Sequence, residues 1–176
     1  EVAVQSHLDN LGAEIKEFCK RASVFTHAFS SDEVHALGFP PEEGLCDWLV
    51  QQSVLSHVKT NNHRESRYVF RSSLVADVAY GMLLDEQRRS SHLAAGRVLA
   101  SGETERPEDI ARHFELGGHQ DRAGYWYFQA AQGAKQRGDS NSVLRCSTLA
   151  LAHGGGGDLF ELFMTRSDAL RFLGKR

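Results

Sequence analysis

From Pro107 to the C-terminus the chain is a succession of helix-length segments, each closed by glycine. That punctuation leaves room for little besides antiparallel helical hairpins. The segment PEDIARHFELGG has proline in its first turn, acids behind it and Gly117-Gly118 at its end, so both boundaries are marked. Residues 121–137 form a second helix stopped by Gly138. Residues 140–153 form a third, stopped by the run Gly154–Gly157, and residues 158–173 a fourth, stopped by Gly174. Gly138 and Gly174 lie 36 residues apart and each ends a helix with small residues on one face. This is close to the tetratricopeptide period of about 34 residues, and Ala150-Leu151 falls where that repeat wants its Ala-Leu pair. A tetratricopeptide-like array over 106–176 is therefore expected. The glycine run reads as a flexible link, because no Lys-Ser/Thr follows it as a phosphate-binding loop requires.

The first half follows another rule. Residues 4–21 carry Leu8, Leu11, Ile15, Phe18 and Cys19 at a helical period. Ser30 precedes Glu33 by three residues, the spacing of a capping box that starts a short helix through Leu37. Gly38 stops that helix, and Pro40-Pro41 opens a third over roughly 41–53, with Leu45, Trp48, Leu49 and Val50 facing inward. SVLSHVK and RYVFR then flank the turn-type stretch Thr60–His63 and read as a β-hairpin. Three short helices followed by a ribbon is a winged-helix-like order, expected over 1–71. Ser72 or Ser73 caps the next helix and Asp85 starts another, so residues 72–105 read as connecting helices. The expected fold class is mainly α, a winged-helix-like module with a small β-hairpin followed by tetratricopeptide-like hairpins.

Composition narrows the function classes. Hydrophobic residues make up 41% and charged residues 24%, the balance of a globular domain, and no apolar run approaches the roughly 20 residues of a membrane helix. No basic stretch followed by an apolar one marks a signal peptide. Cys19, Cys46 and Cys146 are odd in number and far apart, which suits free thiols in a reducing cytoplasm. The start at Glu1 without methionine and the stop at Arg176 after an apolar helix imply a segment of a longer protein, with more repeats beyond.

Three stretches carry a family resemblance: RASVF, then YVFRSSLVADVAYGMLLDEQRRSSHLAAGRVLA, then PEDIARHFELGGHQDRAGYWYFQAAQGAKQRG. Phe70, Arg71, Leu74, Tyr80, Arg88, Arg89, His92, Ala111, His113, Phe114 and Gly118 match in order and spacing. The chain resembles, over roughly residues 3–155, the region behind the nucleotide-binding core of bacterial signal-transduction ATPases of the STAND class. Such proteins carry a protein kinase, a nucleotidyl cyclase or a transcriptional activator at one end. The resemblance implies an upstream P-loop module using ATP or ADP with magnesium; this segment lacks the P-loop motif and needs no cofactor of its own. It also implies that the position after Phe70-Arg71 is a histidine reaching a bound diphosphate. Here that position is Ser72, which cannot carry charge, so Arg71 and Ser72 are weak candidates for nucleotide sensing and helix capping is the better reading of Ser72.

The remaining candidates are weighed on chemistry. A winged helix that reads DNA needs cations against phosphate, yet residues 22–58 contain no Lys or Arg and hold Asp32, Glu33, Glu42, Glu43 and Asp47. No nucleic-acid or membrane partner is expected. The nine histidines show no i,i+4 pair and no H-E-x-x-H, and no G-x-S-x-G occurs, so neither a catalytic nor a metal site is expected. Tyr125, Trp126, Tyr127 and Phe128 span about 300° of one helix and cannot all face one stripe. Leu159, Phe160, Leu162, Phe163, Met164, Leu170, Phe172 and Leu173 give the last helix a broad apolar surface, which a repeat array must cover. Tyr125, Trp126, Tyr127, Phe128, Phe160 and Phe163 are the candidate contacts for a protein partner or for upstream domains of the same chain, with self-association through 159–173. The expected function is a non-catalytic interaction and regulatory segment that couples partner binding to the nucleotide state of the upstream module. The alternatives are part of a transcriptional regulator whose DNA-binding element lies elsewhere, and a structural spacer in a kinase or cyclase.

Overall fold

The computed structural model describes residues 2–39, 42–58, 66–102 and 106–174. The chain is mainly helical with a small two-stranded antiparallel sheet, and it forms two compact units, Glu1–Ala95 and Gly96–Arg176.

In the first unit, α1 (Val2–Asn10) and α2 (Ala13–Ala22) replace the single helix expected over 4–21. Gly12 adopts φ 96°, a left-handed conformation that ends one helix and lets the next begin. The apolar period runs on across the break, since Leu8, Phe18 and Cys19 are all fully buried, so periodicity alone could not reveal it. α3 (Ser31–His35) starts at the expected capping box: Ser30 Oγ accepts from Glu33 N at 3.1 Å and Ser30 N donates to Glu33 Oε2 at 2.9 Å. Glu33 also receives Arg67 Nη2 at 2.6 Å, so one carboxylate both caps α3 and ties it to the ribbon.

α4 (Leu45–Gln51) is shorter than the helix expected over 41–53. It begins after Gly44, whose φ of 82° sets the turn, and Pro40-Pro41 lie outside the described residues. Cys46 and Leu49 form its buried side. Trp48, expected inside, is 37% exposed, because a helix of barely two turns buries only one narrow stripe.

β1 (Leu55–Val58) and β2 (Arg67–Phe70) pair antiparallel with Leu55 opposite Phe70 and His57 opposite Tyr68. The hairpin is the expected one; its turn at 60–63 lies outside the described residues. Phe29 adds a bridge on the other side of β2, donating to Tyr68 O at 2.9 Å and accepting from Tyr68 N at 2.8 Å. Its ring packs among Phe25, Tyr68 and Phe70 with centroids 5.8–6.5 Å apart. This aromatic cluster joins the helices to the ribbon.

α5 (Ser73–Gly81) packs on α1 and α2. Ser72 stands at its N-cap position in extended conformation, but its hydroxyl makes no capping bond. α6 (Asp85–Ser101) follows, and the division between the two units falls within it. The Tyr80 hydroxyl lies 3.0 Å from His92 Nε2, joining α5 to α6, and the Arg88 guanidinium covers the Tyr80 ring at 5.1 Å.

The second unit is a run of antiparallel helices: α7 (Pro107–Leu116), α8 (Gln120–Gln136), α9 (Ser140–Ala152) and α10 (Leu159–Phe172). Each packs on the next, and α10 also touches α8. Alanines at 130, 131, 134 and 150 are buried between these helices, so their backbones approach closely, as the small-residue face of a helical repeat allows. Asp139 and Asp158 cap α9 and α10 by accepting from Ser142 N and from Phe160 N and Glu161 N.

Candidate interaction surface

The aromatic run on α8 is divided by the helical period. Tyr127 and Phe128 turn inward, 3% and 7% exposed, whereas Tyr125 is 45% exposed and Trp126 half-buried against it, edge to face at 5.5 Å. Tyr127 and Phe128 are therefore core residues, and their candidacy as partner contacts is corrected. The phenol of Tyr127 donates to Glu115 Oε2 at 2.6 Å, and its ring stacks on His153 at 5.7 Å. His153 Nε2 lies 3.3 Å from the other oxygen of Glu115. One carboxylate on α7 thus holds α8 and the end of α9. Burial and this carboxylate both push the Tyr127 phenol up.

Glu108 makes the matching clamp at the other end of α7. Arg145 on α9 donates to both of its oxygens, Nη2 at 2.9 Å, and Cys146 Sγ lies 3.8 Å from Oε2. The hydrogen bonds from Arg145 hold the Glu108 carboxyl below the ordinary carboxylate range. A lowered folded-state value stabilises the fold above the unfolded value of about 4.3, and that contribution is lost as pH falls through the folded value. Both side chains are about half exposed, so Glu108→Gln is expected to cost no more than about 1 kcal/mol at neutral pH. Urea melts of the two proteins should converge as the buffer is acidified below the carboxylate range. All three thiols are buried, and burial pushes Cys19 up to about 12 and Cys46 and Cys146 to about 11.

The glycine run is not a slack link. Gly155 is buried, and Gly124 on α8 comes so close that a Cβ there would sit 2.5 Å from the His153 carbonyl oxygen. A Cβ on Gly156 would overlap the Tyr125 nitrogen, and one on Gly157 would meet the Phe128 ring at 2.9 Å. Backbone crosses backbone here, which leaves no cradle for phosphate. Arg71 and Ser72 are both exposed, and the Arg71 amide donates to Val54 O at 2.9 Å.

On α10 the inward stripe is Leu162, Thr165 and Ala169, all buried. Thr165 receives Lys135 Nζ at 3.3 Å, and Arg166 reaches back to Leu144 O, Ser147 and Thr148 on α9. With so narrow a stripe inward, Leu159, Phe160, Phe163 and Met164 stand 46–73% exposed along the first turns. Farther along, Ser167, Asp168 and Arg171 are exposed, and Phe172 is 81% exposed near the end. The apolar patch is thus concentrated at 159–164 rather than spread over 159–173.

No family model, curated protein or solved structure matches the chain. The residues behind the family resemblance nonetheless have definite places in the fold. Tyr80, Arg88 and His92 form the junction of α5 and α6, and Ala111, His113 and Phe114 are the buried side of α7. Among the described residues no group of three or more His, Cys, Asp or Glu is placed to hold a metal, and no helix is long and apolar enough to cross a membrane. The two carboxylate clamps had no readable sign in the sequence, because Glu108 and Arg145 are 37 residues apart and only the hairpin geometry brings them together.

Proposed function

We propose that the chain is a non-catalytic interaction and regulatory segment of a larger signalling ATPase. Its helical repeats would bind a partner, and that binding would be coupled to the nucleotide state of an upstream module. The exposed patch Leu159, Phe160, Phe163 and Met164 carries the reading. Four large apolar side chains lie together on a helix whose inward stripe, Leu162, Thr165 and Ala169, is already buried. Each is about half to three-quarters exposed, so covering it would contribute about 1–2 kcal/mol to a complex. The surface that fits is another apolar helix laid alongside, the way α9 already lies on α10. The ATPase part of the proposal rests on the motif resemblance, whose residues form the α5–α6 junction and the α7 core. Coupling of this kind requires that the partner bind one conformational state better than another.

For the chain studied alone, the helix that meets this patch is that of a second copy. Sedimentation velocity from micromolar to near-millimolar concentration is expected to show a monomer–dimer equilibrium. The double variant Phe160→Glu, Phe163→Glu should weaken it at least about tenfold while leaving far-ultraviolet circular dichroism unchanged. A parent chain that stays monomeric throughout that range overturns the assignment of this patch.

A further inference from the structure

We infer that a cleft in the first unit docks an extended peptide segment of a partner protein, one that presents an arginine beside apolar side chains. The cleft has a volume of about 650 Å³ and is lined by Glu14 and Ile15 of α2, Phe39, Glu42, Glu43 and Gly44 before α4, and Leu45 and Trp48 of α4. That volume is of the size that holds compact ligands, roughly 300–1,000 Å³.

Its walls are apolar and fixed. Phe39 is anchored edge to face on the fully buried Phe18 at 6.1 Å, and Ile15 and Leu45 are half-buried beside it. Trp48 shows part of its indole, 37% exposed, at the cleft. A flat guanidinium stacks on an indole face better than any other charged group does.

The rim is acidic from two independent elements. Glu14 comes from α2, and Glu42 and Glu43 from the turn into α4; all three are exposed. No ion pair joins any of them among the described residues. The nearby cations of α2 are engaged elsewhere: Lys16 pairs with Asp9, Lys20 with Glu17, and Arg21 with Glu17 and the Leu37 carbonyl. From residue 22 to residue 58 the chain supplies no Lys or Arg. Three like charges therefore repel one another across an aromatic cleft with no counterion paired to them among the described residues. An arginine brings the missing charge and donors in a fork that suits carboxylates, and its apolar neighbours suit Ile15, Phe39 and Leu45. The cleft does not depend on the patch of α10, and failure of one leaves the other standing.

Trp48 is itself the reporter. The chain has two tryptophans, so Trp126→Phe leaves Trp48 alone. Titration with acetyl-Leu-Arg-Leu-amide at low salt is expected to give a saturable change in Trp48 emission. The same peptide with citrulline for arginine, equal in shape but neutral, should bind about tenfold more weakly. Changing Glu14, Glu42 and Glu43 together to Gln should weaken the arginine peptide by about the same factor and leave the citrulline peptide unaffected. Calorimetry on the chain without Trp126→Phe reads the same affinities with no reporter substitution. Equal affinity for the two peptides, an unchanged triple variant, or no saturable binding of the arginine peptide at millimolar concentration overturns the inference.

Discussion

Replacing Gly124 by alanine is expected to destabilise the second unit by about 2–3 kcal/mol, although only one methyl group is added. The methyl would press on the His153 carbonyl oxygen, and neither partner can yield cheaply. Gly124 belongs to a helix, and the carbonyl belongs to the last turn of another, where its position is set by the His153–Glu115–Tyr127 contact. Gly156→Ala should cost more still. Its Cβ would overlap the Tyr125 backbone, and its φ of 49° adds about 1–2 kcal/mol of left-handed strain for a residue with a side chain. Gly138→Ala is the control. Its φ of 74° imposes the same kind of strain, but open space surrounds it, so it should cost only the strain. Thermal melts followed by circular dichroism separate the cases, because each kcal/mol lowers the midpoint by roughly 4–8 °C in a unit of this size. Equal midpoints for Gly124→Ala and Gly138→Ala would show that the backbone crossing is not as close as described.

The second large effect belongs to Phe29. Its side chain is fully buried among three aromatic rings, and Phe29→Ala should cost about 3–5 kcal/mol. The loss should have a local signature. Phe29 and Tyr68 exchange two backbone hydrogen bonds, and these depend on the ring cluster to hold the segment beside β2. Hydrogen exchange should therefore speed up at the amides of Phe29 and Tyr68 more than in α8 or α9. Uniform loss of protection along the whole chain would argue that the cluster has no special tie to the ribbon.

Much of this architecture could be read from residue order, and the reasons are local. Ser30 and Glu33 announce α3 because a capping box is completed within one turn. Gly138 and Gly174 announce helix ends because each needs the left-handed conformation that glycine supplies without strain. The exposure of Phe160 and Phe163 was legible for a related reason: too many large apolar residues crowd α10 for one inward stripe to hold.

What escaped the sequence was non-local or depended on phase. The break at Gly12 hides inside an uninterrupted apolar period. Four consecutive aromatics cannot say which two face inward until α7 and α9 are in place. Gly154–Gly157 looks like slack chain, whereas its small size serves a close passage against α8. The cleft between Glu14 and Trp48 joins residues from two helices whose approach no spacing rule encodes.

The order of packing in the second unit has a kinetic consequence. α7 meets α8, α8 meets α9 and α9 meets α10, so most contacts close short loops between neighbours in the chain. Such low contact order favours rapid zipping from any hairpin that forms first. The Gly124–Gly156 crossing is different, since it can seat only after α9 is complete and the chain has turned back. It is a late latch: it should govern how slowly the unit opens, while the hairpins govern how quickly it assembles.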